Sequence, residues 1–116
     1  RNYTTYGDPR TFQVDAIVGH NDGPGHESHF IAFNLQRQII VVEFPGSDPS
    51  KGRDFVITTL YGPDTNGVPV TLTFADVNGD GKPDMIVHFD GQQVAYLNDH
   101  GTFRLAKPGE AINANG

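Results

Sequence analysis

Glycine or proline interrupts almost every window of this chain long enough to hold a helix. There are 14 glycines and 8 prolines among 116 residues, and the runs between them are short and rich in β-branched and aromatic side chains. Such side chains pack well on a pleated surface, whereas Gly and Pro turn the chain. The reading is therefore all-β. Strands are expected near residues 12–18, 29–35, 38–44, 54–61, 68–75, 84–89, 93–98 and 102–106. Asp90-Gly91 is a two-residue hairpin signal, because both central positions of such a turn favour positive φ. Asn98-Asp99-His100-Gly101 marks the next turn, and residues 46–52 and 63–67 read as polar loops.

The expected strands divide into two sets of four with the same plan, which suggests an internal repeat. "IAFNLQRQIIVVEFPG" lies over "IVHFDGQQVAYLNDHG", placing Ile31 on Ile86, Gln38 on Gln93 and Gly46 on Gly101. Upstream, "VGHNDGPGH" lies over "DVNGDGKPD", with Asp22-Gly23 on Asp80-Gly81. The change of spacing between the two matches implies an insertion in the first copy, expected at Glu27-Ser28-His29. The division is an N-terminal tail over 1–11, a degenerate first repeat over 12–67, a second repeat over 68–106 and a C-terminal tail over 107–116.

Bulk properties exclude several classes. The formal net charge is −6 and no basic stripe exists, which argues against nucleic acid as a partner. The absence of cysteine excludes disulfides, thiolate metal sites and covalent haem. No apolar run approaches the roughly 18 residues that a membrane span requires. The chain opens at Arg1 without methionine, as a processed and exported product would. Asn2-Tyr3-Thr4 is a glycosylation sequon that export would make usable.

The most informative segment is "FADVNGDGKPDMIVHF". Counted from Asp76, side-chain oxygens fall at positions 1, 3, 5 and 9: Asp76, Asn78, Asp80 and Asp84. Gly81 allows a sharp turn, and Lys82 can offer its backbone carbonyl. Alternate residues of a tight loop converge, and so many carboxylates repel one another unless a cation sits among them. The expected ion is calcium, which takes six to eight oxygens at about 2.3–2.6 Å. This is not a helix–loop–helix hand, since position 12 is Val87 and a strand follows. The bland alternative is a solvated Asn-Gly/Asp-Gly turn.

Over Thr73 to Leu97 the chain resembles the FG-GAP/VCBS repeat, the calcium-loop repeat of integrin α-subunit β-propellers and of many secreted bacterial proteins. The resemblance implies a four-stranded propeller blade with calcium in the loop between two of its strands. Asp76, Asn78, Asp80, Lys82 (by its carbonyl) and Asp84 match by position. The first repeat departs from the motif, with Val18, His20, Asp22 and His26 at the four ligand positions.

That first loop holds His20, His26 and His29. Imidazole suits zinc, copper or nickel better than calcium, so His20, Asp22, His26 and His29 form a candidate transition-metal site. Glu27 is the one nearby candidate for a general base. The alternative is a decayed loop with backbone-bonded histidines. His88 reads as a strand-face residue and His100 as a turn residue. Phe30, Phe33, Phe44, Phe55, Phe74, Phe89, Tyr96 and Phe103 read as core or sheet-face packing.

The expected architecture is two four-stranded antiparallel blade-like sheets, completed by other copies of the chain. A closed propeller has four to eight blades, so two sheets would pack on each other, close a ring with other copies, or join head to tail. The leading functional expectation is an extracellular, non-enzymatic structural or adhesive module stabilised by calcium, with copies of itself as partner. The alternative is a module binding carbohydrate or a cell-surface protein. A metal enzyme built on the histidine loop is the third reading.

Overall fold

A computed structural model describes residues 11–63 and 65–107. Among them, every strand pairs antiparallel with its neighbour in sequence. The first sheet runs β1 (Phe12–Ala16), β2 (Ser28–Leu35), β3 (Gln38–Phe44), β4 (Arg53–Thr59). The second runs β5 (Val70–Ala75), β6 (Asp84–Phe89), β7 (Gln92–Asp99), β8 (Thr102–Leu105). The expected all-β class, with two four-stranded antiparallel sheets, is what forms. Asn2 and nearly all of both tails lie outside the described residues.

The ends of the strands have local causes. β1 stops at Ala16 because Val18 gives its N–H to Asp22 Oδ2 at 2.9 Å and leaves the ladder. β5 begins after Pro69, which has no N–H to give. A bulge at Ile39/Ile40 shifts the β3–β4 register, and beyond β4 the Leu60 N–H donates to Arg37 O at 2.7 Å. Ser28 and His29 are paired strand residues opposite Ala16 and Asp15. β2 has 8 residues where β6 has 6, and the loop before it spans 17–27 where the other spans 76–83, with a turn closed between Gly23 and His26.

The repeat also needs one correction. Gln36-Arg37 (φ 49 and 72) and Asp90-Gly91 (φ 52 and 71) are the same left-handed two-residue turn. This makes Gln38 the counterpart of Gln92, where the sequence match chose Gln93. A slip of one residue flips a strand's faces. Leu35, just before the first turn, is exposed, whereas Phe89, just before the second, is buried. The two sheets therefore turn opposite faces of the same hairpin toward their shared core.

That core lies between the sheets. Phe30, Ala32, Ile39 and Val41 from the first meet Leu72, Met85, Val87, Tyr96 and Phe103 from the second. Phe30 packs against Phe74 of β5 with tilted rings, centroids 4.8 Å apart, and Phe55 of β4 meets Phe103 of β8 at 6.4 Å. Phe103 also lies 6.0 Å from Phe30 of β2, and Phe55 lies 6.0 Å from Tyr96 of β7, so the aromatic rings of both sheets mesh in one cluster, while β5 lies against β1 and β2. Each fully buried large apolar side chain contributes about 1.5–3 kcal/mol, so the sheets hold each other together. Phe33 and Phe44 lie on the outer face of the first sheet, away from this core.

Candidate metal centre

The β5–β6 loop, residues 76–83, folds around its own first side chain. Asp76 accepts N–H donors from Gly79 (2.8 Å), Asp80 (3.2 Å) and Gly81 (2.8 Å). Gly79 and Gly81 take φ of 78° and 83°, a region that costs other residues strain. Asn78 Oδ1 receives the Asp80 N–H at 3.4 Å, and Asp80 Oδ1 receives the Lys82 N–H at 3.0 Å. The Gly81 N–H, followed by those of Gly79, Asp80 and Asn78, keeps the Asp76 carboxyl below its ordinary 3.8 despite a smaller opposing effect of burial.

Asp84 opens β6 and is fully buried. Its Oδ2 accepts from Val77 N at 2.9 Å and its Oδ1 from Asn98 N at 2.8 Å. The structure brings carboxylate oxygens of Asp76, Asp80 and Asp84 within 4.8 Å of one another, the sole such acidic or imidazole group among the described residues. Ligands at about 2.3–2.6 Å on opposite sides of one calcium ion are about 5 Å apart, so this span fits that ion. Three hard anionic oxygens suit calcium better than a softer metal. Asn78 belongs to the same hydrogen-bonded loop, and Lys82 contributes its N–H to it.

The first loop is built differently. Asp22 accepts from the backbone of Val18 (2.9 Å), Gly19 (2.8 Å) and His20 (3.1 Å) and from Ser28 Oγ (2.6 Å). Burial alone would raise its carboxyl, but the Ser28 and backbone bonds together hold it below 3.8. His20 is buried, with Nδ1 2.6 Å from Glu43 Oε2 and Nε2 2.6 Å from Asn98 Oδ1. His29 points to the other side of β2, where its ring nitrogens meet Asp15 and Gln13. His26 sits exposed beside Gly23. The structure does not bring His20, Asp22, His26 and His29 to one centre, because each is held by a different set of partners. Glu27 offers its backbone carbonyl to Ser47 Oγ at 2.5 Å. His88 meets Thr73 on the second sheet's outer face, and His100 occupies the last turn, as expected.

The sequence reading missed a buried polar chain linking both loops. Arg53 Nε donates to Glu43 Oε1 at 3.1 Å, and Arg53 Nη2 reaches Gly101 O of the second sheet at 2.6 Å. Glu43 holds His20, and His20 holds Asn98. Asn98 Nδ2 then donates to Val18 O (2.6 Å) and Pro83 O (2.9 Å). Because that amide nitrogen faces two carbonyls, the amide oxygen faces His20, and Nε2 carries a proton. Asn98 is therefore a staple between the first loop, the end of the acidic loop and, through its own N–H, Asp84. Every buried side-chain nitrogen and oxygen among the described residues has a partner. The signal in sequence was alternation: Glu43 follows Ile39 and Val41 on the inward side of β3, and Asn98 follows Val94 and Tyr96 on that of β7.

No family model, no curated protein and no solved structure matches the chain.

Proposed function

We propose that this chain is a calcium-stabilised structural module of extracellular type that assembles with copies of itself. The observation carrying this reading is the convergence of Asp76, Asp80 and Asp84 oxygens within 4.8 Å. Asp84 ties the loop to Val77 and Asn98, so an ion there would fasten the start of β6 to the loop and to the neighbouring strand. The ion acts on folding rather than on a substrate, since a ligand bound only by the native state stabilises it by mass action. The blade-like sheets and the FG-GAP/VCBS-like spacing of the loop agree with this role.

A carbohydrate platform has less to stand on, because Tyr61 is the one aromatic side chain among the described residues that is largely exposed. Titration with calcium under calorimetric detection, alongside thermal melting with and without chelator, tests the proposal. Calcium at about 100 times its dissociation constant adds about 2.7 kcal/mol, or roughly 10 °C in melting temperature for a chain of this size. Asp80→Asn, on an exposed side chain, should abolish most of that gain while keeping the fold. An unchanged melting temperature on calcium addition and removal would sink the reading.

A further inference from the structure

The outer face of the first sheet carries an apolar patch. Ile31, Phe33, Ile40, Val42 and Val56 point away from the core on adjacent paired positions: Ile31 beside Val42, and Phe33, Ile40 and Val56 in one row across three strands. Val56 is 57% exposed, and the other four are half-buried without belonging to either hydrophobic cluster. Water-facing positions of an antiparallel sheet ordinarily carry polar residues. A contiguous apolar patch marks a surface that something covers.

The patch lies toward one end of the sheet. Gln13, Ile31, Val42 and Asp54 form a mixed row, and beyond it Asp15, His29 and Phe44 form another. The fully apolar row, Phe33 to Ile40 to Val56, lies at the level of residue 11, because Phe12 pairs with Ala32 and the register is antiparallel. Residue 11 is where the described chain begins. The ten residues before it therefore join the edge strand at the end of the apolar row.

Their sequence, RNYTTYGDPR, is suited to that row. Pro9 has no N–H to prolong the ladder, and Gly7 turns readily, so the sequence favours a change of direction over a longer β1. Tyr3 and Tyr6 offer broad apolar rings whose hydroxyls can stay in water. Asp15 and Asp54 are exposed on the polar margin of the face, and Arg1 and Arg10 carry the opposite charge. Neighbouring strands lie about 4.8 Å apart, so β1 to β4 is about 14 Å. Ten extended residues reach about 33 Å, enough to cross the row.

We infer that residues 1–10 fold back across the outer face of the first sheet of their own molecule, seating Tyr3 and Tyr6 on Phe33, Ile40 and Val56. This strap keeps the face from water and from other chains, so copies of the chain meet through other surfaces. The inference goes beyond the calcium reading and does not rest on it.

The chain has no cysteine, so Thr5→Cys supplies a single thiol for a nitroxide spin label between the two tyrosines of the full chain. Paramagnetic broadening of methyl signals then reads where the tail sits. Outward methyls of Ile31, Ile40, Val42 and Val56 should broaden strongly, and inward methyls of Ile39 and Val41 less. Tyr3→Ser with Tyr6→Ser, in the labelled chain, should abolish the effect at Val56, on the strand farthest from β1. Val56→Lys, at an exposed position, should reduce it at Ile40. Equal broadening of inward and outward methyls, or broadening indifferent to the tyrosines, would overturn the inference. So would broadening of equal strength when label and observed methyls are on different chains, which would assign the face to another copy's tail. Melting with and without chelator decides the calcium reading separately, whichever way the tail result falls.

Discussion

Replacing Asn98 with alanine should destabilise the protein more than any surface change. The side chain is 3% exposed and serves three partners: His20 Nε2 at 2.6 Å, Val18 O at 2.6 Å and Pro83 O at 2.9 Å. Alanine leaves the imidazole N–H and the Val18 carbonyl buried and unpaired, at about 1–3 kcal/mol each. The Pro83 bond is only partly buried, so water can replace it at lower cost. The expected loss is about 3–5 kcal/mol, against a total stability of about 5–15 kcal/mol for a domain of this kind. Urea denaturation of wild type and N98A, analysed with a common slope, measures it. Asn98→Asp should lose a similar amount, since it keeps the acceptor for His20 but aims oxygen at two carbonyls. Crossing Asn98→Ala with His20→Ala should show coupling of at least about 1 kcal/mol. A loss under about 1 kcal/mol for N98A would refute the view of Asn98 as the staple between the sheets.

Other consequences are equally direct. Asp22 and Asp76 both sit below 3.8 in the folded state, Asp22 because its hydrogen bonds outweigh burial and Asp76 chiefly through the Gly81 N–H. Folding therefore favours their ionised forms, and the stability they add is present above pH 3.8 and lost as pH falls through their lower folded values. Urea midpoints measured from pH 6 down to pH 2 should fall at the acid end, and less so in Asp22→Asn. Gly46 has φ of +62°, and a Cβ there would lie 2.3 Å from Asn21 O. Gly46→Ala should thus cost more than about 2 kcal/mol in the same assay, whereas Gly79→Ala, with open space around it, should cost only its backbone strain of about 1 kcal/mol. Glu43→Gln should be destabilising by about 2–4 kcal/mol, because it weakens the buried bonds to both His20 and Arg53.

The strands were legible because their signals are local. β-branched runs, Gly/Pro punctuation and Asp90-Gly91 placed every strand to within two or so positions. The acidic loop was legible for the same reason, since Asp76 to Asp84 meet within one turn of chain. The histidine loop was not, because its outcome depends on contacts remote in sequence. His20 finds Glu43 and Asn98 on other strands, while His29 is sent to the opposite face by the two-residue period of β2. The repeat register failed for an instructive reason. Matching Gln38 to Gln93 aligns positions of like burial, such as Ile39 with Val94, whereas the turns align positions of like backbone. The two alignments differ because the sheets bury opposite faces. Only the structure shows which kind of equivalence a sequence match has found.

The pairing of every strand with its sequence neighbour has a consequence for how the chain reaches this state. Hairpins such as Leu35–Gln38 and Phe89–Gln92 close over a few residues and lose little entropy in doing so. The contacts between sheets are of another order, with His20 and Asn98 separated by 78 positions. Local pairing is therefore expected to precede the meeting of the two sheets, and the contacts between them, such as His20 with Asn98, are expected to form after the rate-limiting step. Substitutions in the buried polar chain would then speed unfolding and barely slow refolding, while substitutions in the turns would do the reverse. Stopped-flow rates for Asn98→Ala and for a Gly91 variant separate the two classes.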